Sequence, residues 1–237
     1  MKLHINPLKL FTKFELALWI SSLLVVTLSF VLPSEKDWMS LCASLIGVTA
    51  LIYNAKGNVV GQMLFIAFSL LYGIISLIFG YWGEAITYLC MSLPAATFST
   101  VSWIKHPYGS SGEVRASKMT LKITVYMLIL TLPVTTAFYF ALSALSTPNL
   151  FWSTFSIITS FIASFLAFMR SPYFALVYTL NDIVLIVLWG LACFESIAYL
   201  PMVACFFTFL FNDAYGFLSW KRMQKRQLIT TDDLQRR

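Results

Sequence analysis

Apolar runs long enough to cross a lipid bilayer fill most of this chain. A transmembrane helix needs about 20 consecutive, mostly apolar residues. Such runs lie near 14–32, 38–54, 59–80, 85–104, 121–143, 150–168, 173–194 and 196–219. Most of them lack the strict apolar and polar alternation of a membrane β-barrel, and helices are the other backbone that satisfies its own hydrogen bonds in lipid. The sequence therefore predicts an all-α polytopic membrane protein with eight transmembrane helices.

The composition excludes the main soluble classes. Hydrophobic residues make up 59% of the 237 residues and charged residues 11%, whereas soluble domains carry roughly 25% charge. A water-exposed surface could not be built from so few charges while 21 Phe, 11 Tyr and 7 Trp are buried. The 4 cysteines fall inside apolar runs, without the spacing of metal ligands. We therefore expect no disulfide scaffold, no metal site and no cofactor.

Basic residues mark one side of the predicted bundle. When the connecting segments are assigned alternately to two sides, all of the 16 Lys and Arg residues except Lys36 fall on the same side. Cytoplasmic loops accumulate Lys and Arg, so both termini are predicted to be cytoplasmic. The formal charge of +6 is spread over these loops, whereas nucleic-acid binding needs a basic patch on one face of a domain. We therefore expect no nucleic-acid partner.

An internal repeat divides the chain. The segments 84–91 and 195–202 share Glu, Ile, Tyr, Leu and Met at matching positions, and Ser102-Trp103 resembles Ser219-Trp220. Four crossings separate the matched elements, which predicts parallel repeats, a plan known from transporters. The predicted divisions are an extra N-terminal helix over 1–34, a first three-helix repeat over 38–105, a loop and linker helix over 106–145, a second repeat over 149–222 and a cytoplasmic tail over 223–237.

Ionisable and amide side chains inside the last two apolar runs are the candidate site. A charged Asp near the bilayer centre costs about 2.5–3.5 kcal/mol on insertion scales, so Asp182 is expected to face a cavity or a partner. Helical spacing places Tyr178 and Trp189 on its stripe. The further candidates for substrate binding are Asn181, Asn212, Asp213 and Tyr215, with Gln62, Tyr72 and Trp152 as weaker ones.

This mixture of groups suits a flat, cationic or ring-bearing ligand that carries hydroxyls. Aromatic faces attract positive charge, and Asn and Asp oxygens accept hydrogen bonds from sugar hydroxyls. Two alternatives remain open. Asp182 and Asn181 could only bridge helices. Gln62 could be a capping residue, while Tyr72 and Trp152 could be packing and interfacial residues.

Several short motifs in order along the chain resemble the PnuC vitamin-transporter family. They are Asn54-Ala-Lys-Gly-Asn58, Tyr72-Gly73, Tyr81-Trp-Gly-Glu-Ala85, Asn181-Asp182 and Asp213-Ala-Tyr-Gly-Phe-Leu-Ser-Trp220. The resemblance covers roughly 38–222 and leaves the first helix as an addition.

The resemblance implies a three-plus-one-plus-three bundle like that of the SWEET sugar transporters. It also implies uptake of nicotinamide riboside across the bacterial cytoplasmic membrane, by facilitated diffusion with trapping by phosphorylation. Asp182 matches an acidic position that recurs in the family, and Tyr178 stands where relatives often carry the second Trp of a W-x-x-W motif. The first Trp position is Ala175. This departure leaves open a carrier of another B vitamin or a nucleoside, such as thiamine, riboflavin or a deoxynucleoside.

Two other function classes compete with a carrier. A membrane-embedded enzyme acting on lipid needs clustered acids or a His set at one face, whereas the acids here are scattered. A receptor scaffold needs no ligand cavity at Asp182. No nucleotide-binding loop is present to couple transport to ATP. We therefore expect a carrier rather than an enzyme, with a small-molecule substrate and the lipid bilayer as partners and with homo-oligomer formation left open.

Overall fold

The computed structural model describes residues 11–31, 38–78, 82–109, 112–147, 149–194 and 200–235, with side chains as far as 230. Within these residues the chain forms eight helices and a two-stranded hairpin. The helices are α1 (Lys13–Val31), α2 (Trp38–Ala55), α3 (Val59–Ile78), α4 (82–105), α5 (Leu121–Ala144), α6 (Leu150–Phe168), α7 (Tyr173–Cys193) and α8 (Leu200–Gln235). The strands are β1 (Pro107–Tyr108) and β2 (Glu113–Val114).

The helices coincide with the predicted apolar runs. Seven of them, all except α4, are long and apolar enough to cross a membrane in the part of the chain that the structure describes. The helical run α4 covers the remaining apolar segment in three pieces, Trp82–Ile86, Thr87–Ser92 and Leu93–Lys105. The prediction of an all-α polytopic fold with eight helices is therefore confirmed.

The middle piece of α4 is a π-helix, and a proline explains it. Pro94 has no N–H and its ring crowds the carbonyl four residues earlier, so a regular α-helix is strained there. A wider turn relieves the strain, and the backbone N–H of Leu93 bonds to the carbonyl of Tyr88, five residues back. The extra residue rotates the part of α4 before Pro94 relative to the part after it.

The last helix is longer than the sequence predicts. The predicted span ends at 219, but α8 continues to Gln235, so the predicted cytoplasmic tail over 223–237 is helical as far as that residue. Hydropathy marks where a helix leaves lipid, not where its backbone hydrogen bonds stop. The extension is held by side-chain bonds to the loop between α4 and α5, since Gln224 donates to the carbonyl of Ser117 and Gln227 to that of Val114.

The helices pack as two groups of three. In one group α2 packs on α3 and α3 on α4, and in the other α6 packs on α7 and α7 on α8. Contacts of α2 with α8 and of α4 with α6 join the groups. The linker helix α5 packs mainly on α6, and α1 packs on α2 and α8. The bundle is therefore the three-plus-one-plus-three arrangement with one added helix.

The added helix α1 is fastened by polar contacts at its start. Thr12 and Glu15 form a capping box, in which the backbone N–H of Thr12 donates to the Glu15 carboxylate over 2.6 Å. The same carboxylate accepts a bond of 2.7 Å from the Tyr215 hydroxyl and lies 3.2 Å from the Lys56 ammonium. Glu15 is 1% exposed. The buried acid thus ties α1 to α8 and to the turn after α2.

Candidate functional site

A cavity lies between the two groups of three helices. The space between the atoms of its lining is about 540 Å³, and this volume includes space that is open to solvent. Residues from α2, α3, α4, α6, α7 and α8 line it: Leu51, Asn54, Gln62, Phe65, Phe68, Tyr88, Ser92, Ser160, Phe174, Tyr178, Asn181, Asp182, Leu185, Phe206, Phe209 and Asp213. Five of the residues predicted to bind substrate are in this lining, namely Gln62, Tyr178, Asn181, Asp182 and Asp213.

Two carboxyl groups meet in the cavity wall. Asp182 from α7 and Asp213 from α8 are 3% and 5% exposed and lie within hydrogen-bonding distance of each other. Among the described residues, the Oδ2 atom of Asp182 has no hydrogen-bond partner. Carboxylates this close repel each other unless a proton or a cation compensates their charge. The pair is therefore suited to hold a positively charged group or hydrogen-bond donors from a ligand.

Asn181 has a fixed place beside this pair. Its amide oxygen accepts bonds from three hydroxyls of α6, at 2.7 Å from Thr159, 3.0 Å from Ser160 and 3.4 Å from Ser156. The amide oxygen of Asn181 therefore bridges α7 and α6, as the alternative interpretation of this residue predicted. The residue also lines the cavity, so bridging and facing the cavity are combined in one side chain.

Aromatic rings form most of the remaining wall. The ring of Tyr178 lies 6.1 Å from Phe65 and 6.3 Å from Phe174, and its hydroxyl is held 2.9 Å from Ser164 of α6. Phe68 lies 5.6 Å from Phe65 and 5.8 Å from Tyr88. Rings at these separations present faces and edges on which a flat ligand can stack. Because the pair of acids lies in the same cavity, a cationic ring would find both charge and stacking.

One end of the bundle contains the turns after α2 and α6, the loop between α4 and α5 and the polar part of α8, and we call it the basic end. A buried pair of amide side chains lies toward this end of the cavity. Gln62 donates a bond of 3.0 Å to the side-chain oxygen of Asn54, and both residues are 5% exposed or less. The capping role belongs to Asn58, whose side chain accepts from the backbone N–H of Val60. Gln62 is therefore part of the cavity lining rather than a cap.

Two tryptophans pack below the cavity at the basic end, and each joins the two groups of helices. Trp103 at the end of α4 donates 2.9 Å to the carbonyl of Ala167, near the end of α6. Trp220 of α8 donates 2.7 Å to the carbonyl of Asn54, near the end of α2. Their rings are 5.2 Å apart and fully packed. Each group thus supplies an indole to the other group's first helix.

The turns beside these carbonyls are also equivalent. Gly57 and Arg170 both have positive φ, and their backbone N–H groups donate 2.9 Å to the carbonyls of Asn54 and Ala167. Gly57 takes this left-handed conformation without strain because it has no Cβ. Arg170 anchors its turn by donating 2.6 Å to Ser102, and partial burial lowers the pKa of its guanidinium. The helices α2 and α6, whose carbonyls accept hydrogen bonds from the two tryptophans, therefore end in the same type of turn.

Tyr72 and Trp189, which the sequence predicted as site residues, lie directly behind the cavity wall. Both are buried in the same apolar cluster as Tyr88 and Phe206. The rings of Tyr72 and Tyr88 are 4.3 Å apart, and the hydroxyl of Tyr72 has no hydrogen-bond partner within the described residues. This cluster fills the bundle on the side of the cavity away from the basic end.

The other three predicted site residues lie elsewhere. Asn212 is 1% exposed and donates 2.9 Å to Ser22 of α1. Tyr215 donates to Glu15 of the same helix. Trp152 is half-buried in the first turn of α6, with its ring 5.4 Å from Phe151. On α8, therefore, Asp213 faces the cavity while Asn212 and Tyr215 face α1, because helical residues one and two positions apart point in different directions.

Some lining residues escaped the sequence analysis. Tyr88 and Ser92 reach the cavity from the π-helical turn of α4. Pro94 within an apolar run was the available signal for that turn. Ser160 shares one face of α6 with Ser156 and Thr159, and this spacing was a second signal. The Phe residues of the lining carry no signal that separates them from ordinary packing residues.

Comparisons with known proteins agree with this architecture. A family model described as nicotinamide mononucleotide transporter matches residues 37–222. The chain is 22% identical over 220 residues to the nicotinamide riboside transporter PnuC of Neisseria mucosa, which covers 91% of this chain and 83% of the relative. It is also similar to the crystal structure of the vitamin B3 transporter PnuC, with a TM-score of 0.78, 22% identity and coverage of 92% of this chain and 94% of that one.

The matched range defines what these similarities establish. The family model covers α2 to α7 and α8 as far as residue 222, and it leaves α1 outside. These relatives are transporters and not enzymes. The chain therefore belongs to the nicotinamide mononucleotide transporter family and is a multi-pass membrane transporter of the PnuC type.

Proposed function

We propose that this protein carries nicotinamide riboside across the bacterial cytoplasmic membrane by facilitated diffusion. The observation that carries the proposal is the buried pair Asp182 and Asp213, with an unpartnered carboxylate oxygen, in a cavity walled by aromatic rings. The related PnuC of Neisseria mucosa is a nicotinamide riboside transporter. Nicotinamide riboside is a pyridinium cation joined to a ribose, so it combines the charge, the flat ring and the hydroxyls that this cavity can recognise.

Each part of the substrate has a matching group in the wall. The pyridinium ring packs against the cavity-facing surfaces of Tyr178 and the neighbouring Phe rings, where the attraction between a cation and an aromatic face adds to dispersion. The carboxyl pair compensates the positive charge and accepts hydrogen bonds from the ribose hydroxyls. Gln62 and Asn54 supply amide groups nearer the basic end. Specificity then comes from requiring a ring and a sugar together.

Passive transport needs only that the two ends of the cavity open in turn. The indoles of Trp103 and Trp220 lie at the basic end, and both of their hydrogen bonds cross between the groups of helices. A rocking motion of one group against the other would break them together. We assign the basic end to the cytoplasm, with both termini there, and propose that phosphorylation of the arriving substrate prevents its return.

A second candidate substrate class follows from Ala175. Ala175 is fully buried, and a Cβ atom added at Gly216 of α8 would lie 3.5 Å from the Cβ atom of Ala175. It packs between helices and is absent from the cavity lining, so the ring at this level is that of Tyr178 alone, flanked by Phe174. A nucleoside or another B vitamin with a ring of different size is therefore the alternative.

Thermal stabilisation of the purified protein tests the proposal. Nicotinamide riboside, thiamine, riboflavin and a set of nucleosides would be added separately, and the melting temperature measured as a function of concentration. A ligand that binds the folded state raises the melting temperature by mass action. We expect nicotinamide riboside to do so at the lowest concentration. Stabilisation by none of them, with no uptake in a vitamin auxotroph, would contradict the carrier function.

A further inference from the structure

The three hydroxyls that surround the Asn181 amide oxygen form an ordered set of hydrogen-bond donors on one face of α6. Ser156, Thr159 and Ser160 are spaced so that their side chains lie together on a helix. All three are 6–8% exposed. Their convergence on a single oxygen atom of α7 is a specific arrangement, since hydroxyls in membrane helices commonly bond to their own backbone instead.

The structure places the amide oxygen of Asn181 against α6. In this orientation the three hydroxyls donate to the oxygen, whereas in the flipped orientation they would have to accept from the NH₂ group. The shortest contact, from Thr159, is 2.7 Å, which is shorter than the 3.1 Å from that hydroxyl to the carbonyls of Phe155 and Ser156. With the oxygen held against α6, the planar NH₂ group is the half of the side chain that faces away from α6, toward the cavity.

We propose that Ser156, Thr159 and Ser160 are positioning residues, which hold the Asn181 NH₂ toward the cavity so that it donates to an acceptor oxygen of the transported compound. The proposal rests on the proposed function and adds a chemical requirement to it. The carboxyl pair selects positive charge and donors, whereas Asn181 selects an acceptor. Nicotinamide riboside offers such an oxygen in two places, the ring carboxamide and the ribose hydroxyls.

If this proposal holds, a hydroxyl of α6 affects ligand binding although the hydroxyl does not contact the ligand. If the hydroxyls only joined α6 to α7, their removal would weaken folding and would weaken binding of every ligand alike. If they orient the donor, their removal would weaken binding only of ligands that carry the matching acceptor. The difference between these two outcomes is measurable as a coupling between a protein change and a ligand change.

The experiment compares variants and substrate analogues in one set of binding measurements. Thr159→Val removes the closest hydroxyl and keeps the branched shape, Thr159→Ser restores the hydroxyl, and Thr154→Val removes a hydroxyl of α6 that bonds to the backbone of Leu150. Each variant is titrated with nicotinamide riboside, with the riboside of unsubstituted pyridinium, and with the 2′-deoxy and 3′-deoxy analogues. Melting temperatures are measured in parallel.

We expect Thr159→Val to weaken nicotinamide riboside binding about fivefold to tenfold, the worth of a typical hydrogen bond. Thr159→Val should change the binding of one of the analogues by less than twofold. The oxygen that this analogue lacks is then the one that Asn181 contacts. Thr159→Ser and Thr154→Val should bind all compounds as the wild type does.

The opposite pattern overturns the inference. An equal loss for nicotinamide riboside and all three analogues in Thr159→Val, or a fall in melting temperature with unchanged discrimination, would show that the hydroxyls only join the helices. If the wild type binds none of the compounds, the proposed function itself fails, and the inference fails with it. Asn181→Asp gives an independent check, since it keeps an oxygen for the hydroxyls, removes the donor and should reproduce the loss of discrimination.

Discussion

The acidic groups of the cavity are two side chains from neighbouring helices, Asp182 and Asp213. Both are buried, and neither forms an ion pair with a basic side chain within the described residues. A buried carboxylate without a partner is costly in the absence of ligand, so its retention favours a role in binding. The cost is lowest when a cation occupies the cavity.

Replacing Asp182 by Asn separates binding from folding. Asp182→Asn keeps the size of the side chain and removes the charge, so we expect nicotinamide riboside affinity to fall about 100-fold, or roughly 2.7 kcal/mol. The melting temperature without ligand should stay the same or rise, because the like-charge contact with Asp213 is relieved. Isothermal titration and thermal unfolding measure the two quantities. Unchanged affinity would contradict the binding role.

We expect the hydroxyl of Tyr178 to have a structural role and its ring to have a role in substrate binding. Tyr178→Phe loses the bond of 2.9 Å to Ser164 and keeps the ring. We expect it to lower stability by about 1 kcal/mol, with substrate affinity within twofold of the wild type. Ser164→Ala, which breaks the same bond from the other side, is the matched variant. A large loss of affinity in Tyr178→Phe alone would instead assign the hydroxyl to the substrate.

The π-helical turn of α4 is an element that places side chains in the cavity. Pro94→Ala restores a backbone N–H and removes the crowding that the wider turn relieves. We expect α4 to become regular, the melting temperature to rise, and Tyr88 and Ser92 to turn from the cavity, so that substrate affinity falls several-fold. Pro133→Ala in the linker helix α5 is the control, since that helix contributes no residue to the lining. Equal affinities in both variants would contradict this role for the turn.

The helix α1 is fastened through a buried acid and should therefore contribute to stability and not to binding. Glu15→Ala leaves Lys56 and the Tyr215 hydroxyl without their acceptor, and we expect a loss of about 2 kcal/mol in unfolding free energy. The matched control is Glu113→Ala, which breaks a more exposed pair with Arg226 and should cost less than about 1 kcal/mol. Substrate affinity should be unchanged in both, and a fall in Glu15→Ala alone would place α1 in the binding mechanism.

The sequence predicted the positions of the helices along the chain better than it predicted which neighbour each side chain faces. Apolar runs and the side on which Lys and Arg accumulate were sufficient for eight helices, because lipid admits few alternatives. The candidate site was only partly predictable. Asp182 stood out through its cost in lipid, but Asn212 and Asp213 are adjacent on α8 and only the structure shows that they face opposite neighbours, α1 and the cavity.

Two features of the elements could not be predicted from local sequence patterns alone. The length of α8 beyond residue 219 depends on Gln224 and Gln227 meeting a loop more than a hundred residues earlier in the chain. The π-helical turn was signalled by Pro94, but a proline in an apolar run is equally compatible with a simple kink. The direction in which the turn aims Tyr88 follows only from the packed bundle.

The two groups of helices are joined at the basic end by a reciprocal pair of bonds, and we expect this pair to act as a symmetrical closure of the cavity. Trp103→Phe and Trp220→Phe each remove one indole bond between the groups, to Ala167 and to Asn54. Because each bond is worth about 1 kcal/mol, either variant should raise the population of the state open at the basic end several-fold. The two effects should be similar.

Labelling of a cavity residue measures this opening. In a protein without its native cysteines, Ser92→Cys would report access from the basic end to a membrane-impermeant thiol reagent. We expect faster labelling in both tryptophan variants, and wild-type labelling in Trp38→Phe, whose ring is exposed outside this closure. Faster labelling in only one of the two variants would contradict a symmetrical closure. If the tryptophan variants speed labelling from the outer face of the membrane instead of from the cytoplasmic face, the assigned orientation is contradicted.

Passive carriage of nicotinamide riboside through the acidic cavity is tested most directly by uptake into liposomes that contain the purified protein and no ATP or ion gradient. The wild type should bring radiolabelled nicotinamide riboside to the same concentration inside as outside and no higher, and Asp182→Asn should reduce the initial rate to near that of protein-free liposomes. Uptake no faster than in protein-free liposomes, accumulation above the external concentration, or equal rates for the wild type and Asp182→Asn would contradict this account.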